Sequence, residues 1–408
     1  MAVDINELFK GVAVVIDDEV NDTNTNIQKV LEQITSFHIP VLKYTDIPPE
    51  EDVSHFQSLS FVLLDWRLIK PEISAEDVAA GNTVPSGLEQ ENITRNIAFI
   101  KQLHETCYCP IFIFTNENRD AIADKLISEN VYMSDRPCNI LIEPKSSLQQ
   151  NGTLKSAIEN WINNNPSVYV LKEWEREYQK CKNRLFFDFQ QMSPVWPQVM
   201  WKCFDEDGGN KSLELGELIS RNLHTRMKPF EFDENLLKGN DGIVERTELR
   251  KVLEGAKFLK NLHEEDISTG DVFYEEYQDA GSTRHRYWLN IRAQCDLLRD
   301  DNPYLYCLPG CELIQKENGK IDNVSFSQGE YVEKVYQAIV PFIDDGKIIE
   351  FKFGEFEMRQ WNSLSTDQIR RIGRILPPYI TKIQQRFALY LHRQGLPRIP
   401  DEAIFPPE

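Results

Sequence analysis

The chain has 408 residues, 41% hydrophobic and 27% charged, enough for two or three soluble domains with cores of their own. Its 45 basic and 65 acidic residues give a formal charge of −20, which excludes non-specific attraction of the whole chain to DNA or anionic lipid. No apolar run has the length of a membrane span, and Met1 to Glu7 lacks the basic and apolar parts of a signal peptide. A cytoplasmic protein with its eight cysteines reduced is therefore expected.

In chain order, residues 1–10 form a short lead-in. Val12 to Ile16 is an apolar run ending in Asp17, Asp18 and Glu19, and a helix near Thr23 to Phe37 places Ile27, Val30, Leu31 and Ile34 on one face. Phe61-Val62-Leu63-Leu64 ends in Asp65-Trp66, Pro110 to Phe114 ends in Thr115-Asn116, and Asn139 to Ile142 ends in Glu143-Pro144-Lys145. Near-continuous apolar runs of this length predict strands of a parallel sheet covered on both faces. Their C-terminal ends form the edge where sites lie in open α/β sheets, and together they supply Asp17, Asp18, Asp65, Thr115 and Lys145. The interval from Ile69 to Asn96, with Pro71, Gly81, Pro85 and Gly87, reads as an inserted loop beside that edge. Cys107-Tyr108-Cys109 adjoins a core strand and is assigned to packing. A helix from about Leu154 to Asn163 closes the sheet, and Asn163-Asn164-Asn165-Pro166 marks a boundary.

Three carboxylates roughly 5 Å apart repel by about 3 kcal/mol per pair at an effective dielectric near 20, so protons or a cation must neutralise them. Oxygen ligands suit magnesium, while a lysine and a threonine hydroxyl suit the remaining oxygens of a phosphoryl group. The chemistry expected is phosphoryl transfer to a carboxylate, with Asp65 as nucleophile because it stands alone on its strand end.

Asp-Asp on the first strand, Asp on the third, Thr on the fourth and Lys before the last helix resemble the receiver domain of two-component response regulators, over residues 8–165. The resemblance implies an α/β fold, a doubly wound, flavodoxin-like sheet of five parallel strands. It implies that Asp65 accepts a phosphoryl group from a sensor histidine kinase or phosphotransfer protein. Asp17, Asp18, Asp65 and the carbonyl of Arg67 would hold magnesium, and Thr115 and Lys145 would bind phosphoryl oxygens. Many receivers carry Tyr or Phe three residues before the lysine; this chain has Ile142, which speaks against aromatic switching. A receiver used as a phosphate sink or as a scaffold without phosphotransfer is the alternative.

Residues 166–264 read as a helical middle or output region. Apolar residues at 171, 174, 178, 181, 185 and 186 fit one face of a long helix, either a lever for homodimerisation or a core helix. Two stretches imitate calcium loops and fail on spacing: from Asp205 the twelfth position is Gly216, and around Gly242 the first and third are Leu237 and Gly239.

Residues 265–408 read as a β-rich module, a small barrel or curled sheet closed by two helices. Its strand candidates are Gly270 to Tyr274, Arg286 to Arg292, Tyr304 to Leu308, Val332 to Ile339 and Ile348 to Phe353. A Gly-Asp-Val-Phe strand, a Gln-Cys-Asp-Leu turn and the helical close resemble uncharacterised bacterial modules, some attached to receivers and some encoded near phage-defence genes. Cys295 beside Asp296, with His285 on the preceding strand, is a candidate thiol site; Cys295, Cys307, Cys311 and His285 are a candidate zinc set; a buried structural Cys295 is favoured over both. Ser365 and Gln368 would cap the first closing helix, Pro377-Pro378 would separate it from the second, and Gly395 with Pro397 would end that one. Ile380, Ile383, Phe387 and Leu391 would pack inward. Between Gln368 and Pro400 lie Arg370, Arg371, Arg374, Lys382, Arg386, Arg393 and Arg398 without one acid. That stretch is the one place where nucleic acid could bind, with docking onto the protein's own acidic body preferred.

Overall fold

The computed structural model describes residues 5–23, 25–68, 86–133, 137–148, 153–207, 210–227, 230–237, 244–263, 267–297, 302–314, 336–364 and 368–393. Two units emerge, Met1–Pro194 with Ile219–Gly242 and Val195–Leu218 with Ile243–Glu408. The middle region expected from the sequence, 166–264, is shared between them.

The first unit holds a five-stranded parallel sheet made of β1 (Ala13–Ile16), β2 (Val41–Tyr44), β3 (Val62–Asp65), β4 (Ile111–Thr115) and β5 (Ile140–Pro144), in the order β2-β1-β3-β4-β5. Consecutive strand residues point to opposite faces, and both faces are dry. Ala13, Val15, Leu63, Phe112, Phe114 and Leu141 enter one core; Val14, Ile16, Val62, Leu64, Ile113 and Ile142 enter the other. Hence the unbroken apolar runs. The first face is covered by α1 (Ile5–Leu8), α2 (Asn26–Ser36), and two later helices, here α6 (Thr153–Asn163) and α7 (Pro166–Met192); the second is covered by α3 (Glu50–Ser54), α4 (Ser86–Thr106) and α5 (Arg119–Ser128). The expected face of α2 is the buried one, with Ile27, Val30, Leu31 and Ile34 all inside. Buried side chains of this size each contribute roughly 1.5–3 kcal/mol.

Three expectations change here. The lead-in is part of the core: Ile5, Leu8 and Phe9 are buried, and Phe9 meets the Phe61 ring edge-on at 5.9 Å. The insertion is shorter than it looked, because α4 begins at Ser86 and the stretch up to Asn96 is helical; Ile69 to Pro85 lies outside the described residues. The buried side of α7 carries Val168, Tyr169, Lys172 and Leu185, whereas Trp174 and Phe186 are 43% and 42% exposed. Apolar period misplaced this face because a lysine lies on it: Lys172 Nζ donates to the Leu59 carbonyl at 2.7 Å and pairs with Glu175 at 2.8 Å.

Helices α8 (Trp196–Asp207), α9 (Lys211–Arg226), α10 (Glu234–Leu237) and α11 (Arg246–Gly255) follow. The second unit is built on a nearly closed, barrel-like antiparallel sheet. Its strands are β6 (Phe258–Leu259), β7 (Asp271–Asp279), β8 (Ser282–Asn290), β9 (Tyr304–Glu312), β10 (Gln337–Ile343), β11 (Lys347–Lys352), β12 (Glu357–Gln360) and β13 (Ile369–Ile375). Their order is β10-β11-β9-β8-β7-β13-β6, with β12 on β9. The Glu254 carboxylate on α11 accepts N–H bonds from Asp345 and Gly346 at 3.2 and 2.8 Å, tying that helix to the β10–β11 turn. Gly270 must be glycine: its φ is +95°, and a Cβ there would lie 2.2 Å from the Ile375 carbonyl oxygen.

The first of the two expected closing helices is instead β13, lying between β7 and β6. Ile-Arg-Arg-Ile-Gly-Arg-Ile has apolar residues three apart, as a helix would, but strand pairing with β7 brings Arg371 and Arg374 to the buried Asp271. One helix, α13 (Tyr379–His392), packs on the sheet with Ile380 and Ile383 buried; Leu391 is 64% exposed, against expectation. Ser365, Gly395, Pro397 and Arg398 lie outside the described residues.

Candidate functional site

The parallel sheet gathers the acids. Asp17 directly follows β1, Asp65 ends β3, and the pairing of Ile16 with Leu64 sets the two ends side by side. One ligand oxygen from each of Asp17, Asp18 and Asp65 lies within 4.8 Å of the others, and this is the one such cluster among the described residues. Thr115 ends β4 opposite Pro144, and Lys145 follows Pro144 at the end of β5. Lys145 then reaches across the edge, its Nζ 2.7 Å from Asp65 Oδ2 and 2.9 Å from Asp17 Oδ2. All five residues singled out on the strand ends therefore lie on one edge, and four of them are in a single ionic cluster.

The surroundings are dry and ordered. Asp17 and Thr115 are 0% and 1% exposed, and Asp65 is 4% exposed. Short backbone turns use one oxygen of each: Asp17 Oδ1 accepts from the Glu19 N–H at 2.9 Å, Asp65 Oδ1 from the Arg67 N–H at 3.2 Å, and Thr115 Oγ1 from the Glu117 N–H at 3.0 Å. Burial pushes the Asp65 carboxyl up to about 7, helped by Asp17 and opposed by Lys145 and the Arg67 N–H. Burial would lower the Lys145 ammonium, yet Asp65 and Asp17 outweigh it and raise its pKa. Three ionised carboxylates and one lysine leave the cluster at −2, so it takes up either a proton or a further cation. An all-oxygen donor set suits a hard divalent ion such as magnesium, for which Asp17, Asp18 and Asp65 are the ligands at hand.

Sequence reading missed the groups that hold this edge in place. Asn96 on α4, 1% exposed, donates to the Trp66 carbonyl at 2.7 Å, and Asn92 one turn earlier donates to the Leu68 carbonyl at 3.1 Å. Buried Gln33 on α2 donates to the Leu148 carbonyl at 3.0 Å and accepts from the Leu154 N–H at 3.2 Å, anchoring the turn that follows Lys145. The only sequence signal for the α4 pair was two asparagines four apart on a helix.

The other candidates do not assemble. Cys295 in the short helix α12 (Gln294–Leu297) is exposed, contrary to the buried role favoured for it, and its Sγ is 3.7 Å from Asp296 Oδ1. His285 stacks on Tyr274 with Nδ1 2.6 Å from the tyrosine oxygen, Cys307 is buried and Cys311 exposed; these cysteines and His285 form no metal cluster among the described residues. Of the basic C-terminal residues, Arg374 Nε bonds Asp271 Oδ1 at 2.6 Å, Arg371 bonds Oδ2 at 3.2 Å, and Arg370 and Arg393 lie over Tyr274 and Tyr390. These four arginines engage the protein's own body.

Comparison with protein-family models, with curated proteins and with solved structures finds no match.

Proposed function

We propose that the first unit is a flavodoxin-like receiver that accepts a phosphoryl group on Asp65, with a sensor histidine kinase or a phosphotransfer protein as donor. The observation that carries this reading is the Lys145 ammonium bridging Asp65 and Asp17 on the edge where Thr115 also ends its strand. In the transfer, an Asp65 carboxylate oxygen attacks phosphorus and forms a P–O bond while the P–N bond of a phosphohistidine breaks; the released imidazole nitrogen takes a proton from solvent. Lys145 then exchanges one carboxylate contact for a phosphoryl oxygen, and Thr115 offers its hydroxyl to another. Magnesium held by Asp17, Asp18 and Asp65, with the Arg67 carbonyl as a further ligand, would supply charge neutralisation when bound. Ile142, buried at 1% exposure, replaces the aromatic of many receivers, so the response passes through Thr115 and Lys145 without a ring swing. The remaining chain acts as a non-DNA-binding output region, its phosphorylation-dependent partner or second copy engaging outside the site.

The test is intact mass after incubation with acetyl phosphate and magnesium. Wild type gains one phosphoryl group, Asp65→Asn gains none and Lys145→Ala gains far less. Absence of any gain in wild type, together with no binding of beryllofluoride, would overturn the proposal in favour of a scaffold.

A further inference from the structure

We infer that Asn92 and Asn96 are positioning residues for cation binding at the Asp65 edge, an inference that rests on the receiver reading of that edge. The chain leaves β3 through Asp65, Trp66, Arg67 and Leu68, and α4 grips this exit at two alternate carbonyls. Asn96 Nδ2 takes the Trp66 oxygen at 2.7 Å and Asn92 Nδ2 takes the Leu68 oxygen at 3.1 Å. The residue between them is treated differently. Arg67 turns its N–H onto Asp65 Oδ1 at 3.2 Å, and its carbonyl accepts no hydrogen bond among the described residues.

The pattern has a direct physical consequence. With the 66 and 68 carbonyls both tied to α4, the 67 carbonyl is, among the described residues, the one group of this exit left free to meet a cation. Because Arg67 also bonds Asp65, the same clamp fixes the rotation of the nucleophile's carboxylate. The two asparagines are four positions apart, which puts them on successive turns of one helix face at a spacing that spans the three-residue exit. The clamp is stiff where it matters most: Asn96 is 1% exposed, and its neighbours Ile93, Ile97 and Ile100 are all in the core beneath the sheet. Groups of this kind, bonded to a ligand-bearing segment and not to the ion, set affinity by reducing the freedom that binding must remove.

Mn2+ is the probe, because its affinity can be read by water-proton relaxation independently of phosphorylation. The full chain is titrated as wild type, Asn96→Leu, Asn92→Leu and Asn118→Ala, the last removing an amide on α5's cap as a control. Thermal unfolding in EDTA is recorded alongside. Wild type and Asn118→Ala should bind alike, and each leucine variant should bind at least about tenfold more weakly while still unfolding cooperatively in EDTA. Folded leucine variants with wild-type Mn2+ affinity would overturn the clamp and leave the receiver reading standing. Should Asn96→Leu not fold, half-buried Asn92→Leu decides the matter. Wild type that binds no Mn2+ at about 10 mM would overturn the cation site and the clamp together, since that lies beyond the weakest affinity such carboxylate sites show.

Discussion

At the residue scale, Asp65 is 4% exposed, beside Asp17 and paired with Lys145. Its carboxyl is held near 7, against an ordinary 3.8, chiefly by burial. The folded state thus keeps a proton that the unfolded chain has already lost, so stability falls as pH rises from about 4 to about 7 and levels off above. Asp65→Asn removes this dependence. In metal-free buffer the variant should therefore be more stable than wild type by about 2–4 kcal/mol above pH 7, the gain shrinking toward pH 4. Urea titrations across that pH range check it, and an equal gain at every pH would contradict it. Residue identity on the strand ends was legible in the sequence because four apolar residues followed at once by an acid mark a buried strand emerging at a polar edge. The asparagines of α4 were not, since their function lies in reaching carbonyls that only the fold brings near.

At the element scale, the parallel sheet was readable and the antiparallel one only in part. Strands covered on both faces announce themselves by runs such as Ala13 to Ile16 and Ile111 to Phe114. β13 did not, because Ile369, Ile372 and Ile375 are spaced as a helix would space them and the strand is decided by pairing with β7. What secures that pairing is ionic. Asp271 is fully buried, and Arg374, Arg371 and the Ser268 N–H all bond its carboxylate. Burial nevertheless leaves its pKa above the usual carboxylate range, opposed by Arg374 first. Arg374→Met should cost about 3–5 kcal/mol because a buried charge loses its best partner, whereas exposed Arg284→Met, at the far end of β8, should cost less than about 1 kcal/mol. Chemical denaturation of both variants measures the contrast.

At the scale of the whole molecule, the boundary suggested by Asn163 to Pro166 is a helix junction inside the first unit. Val168, Tyr169, Lys172 and Leu185 of α7 are buried, and Tyr169 packs edge-on to Phe232 at 6.2 Å. A fragment ending at 165 loses these groups and should melt several degrees below the first unit in the full chain, with Lys172→Met in the full chain producing a smaller loss of the same sign. Circular dichroism on heating compares the three. The sequence break was real but local: it ended α6 without ending the unit, since Pro at the first position of a helix starts α7 at once. A consequence for synthesis follows from the division of the chain. The first unit is completed by residues 219–242, and the chain visits the second unit at 195–218 on the way. During synthesis α8, which belongs to the second unit, therefore leaves the ribosome before Phe232 can reach Tyr169 in the first.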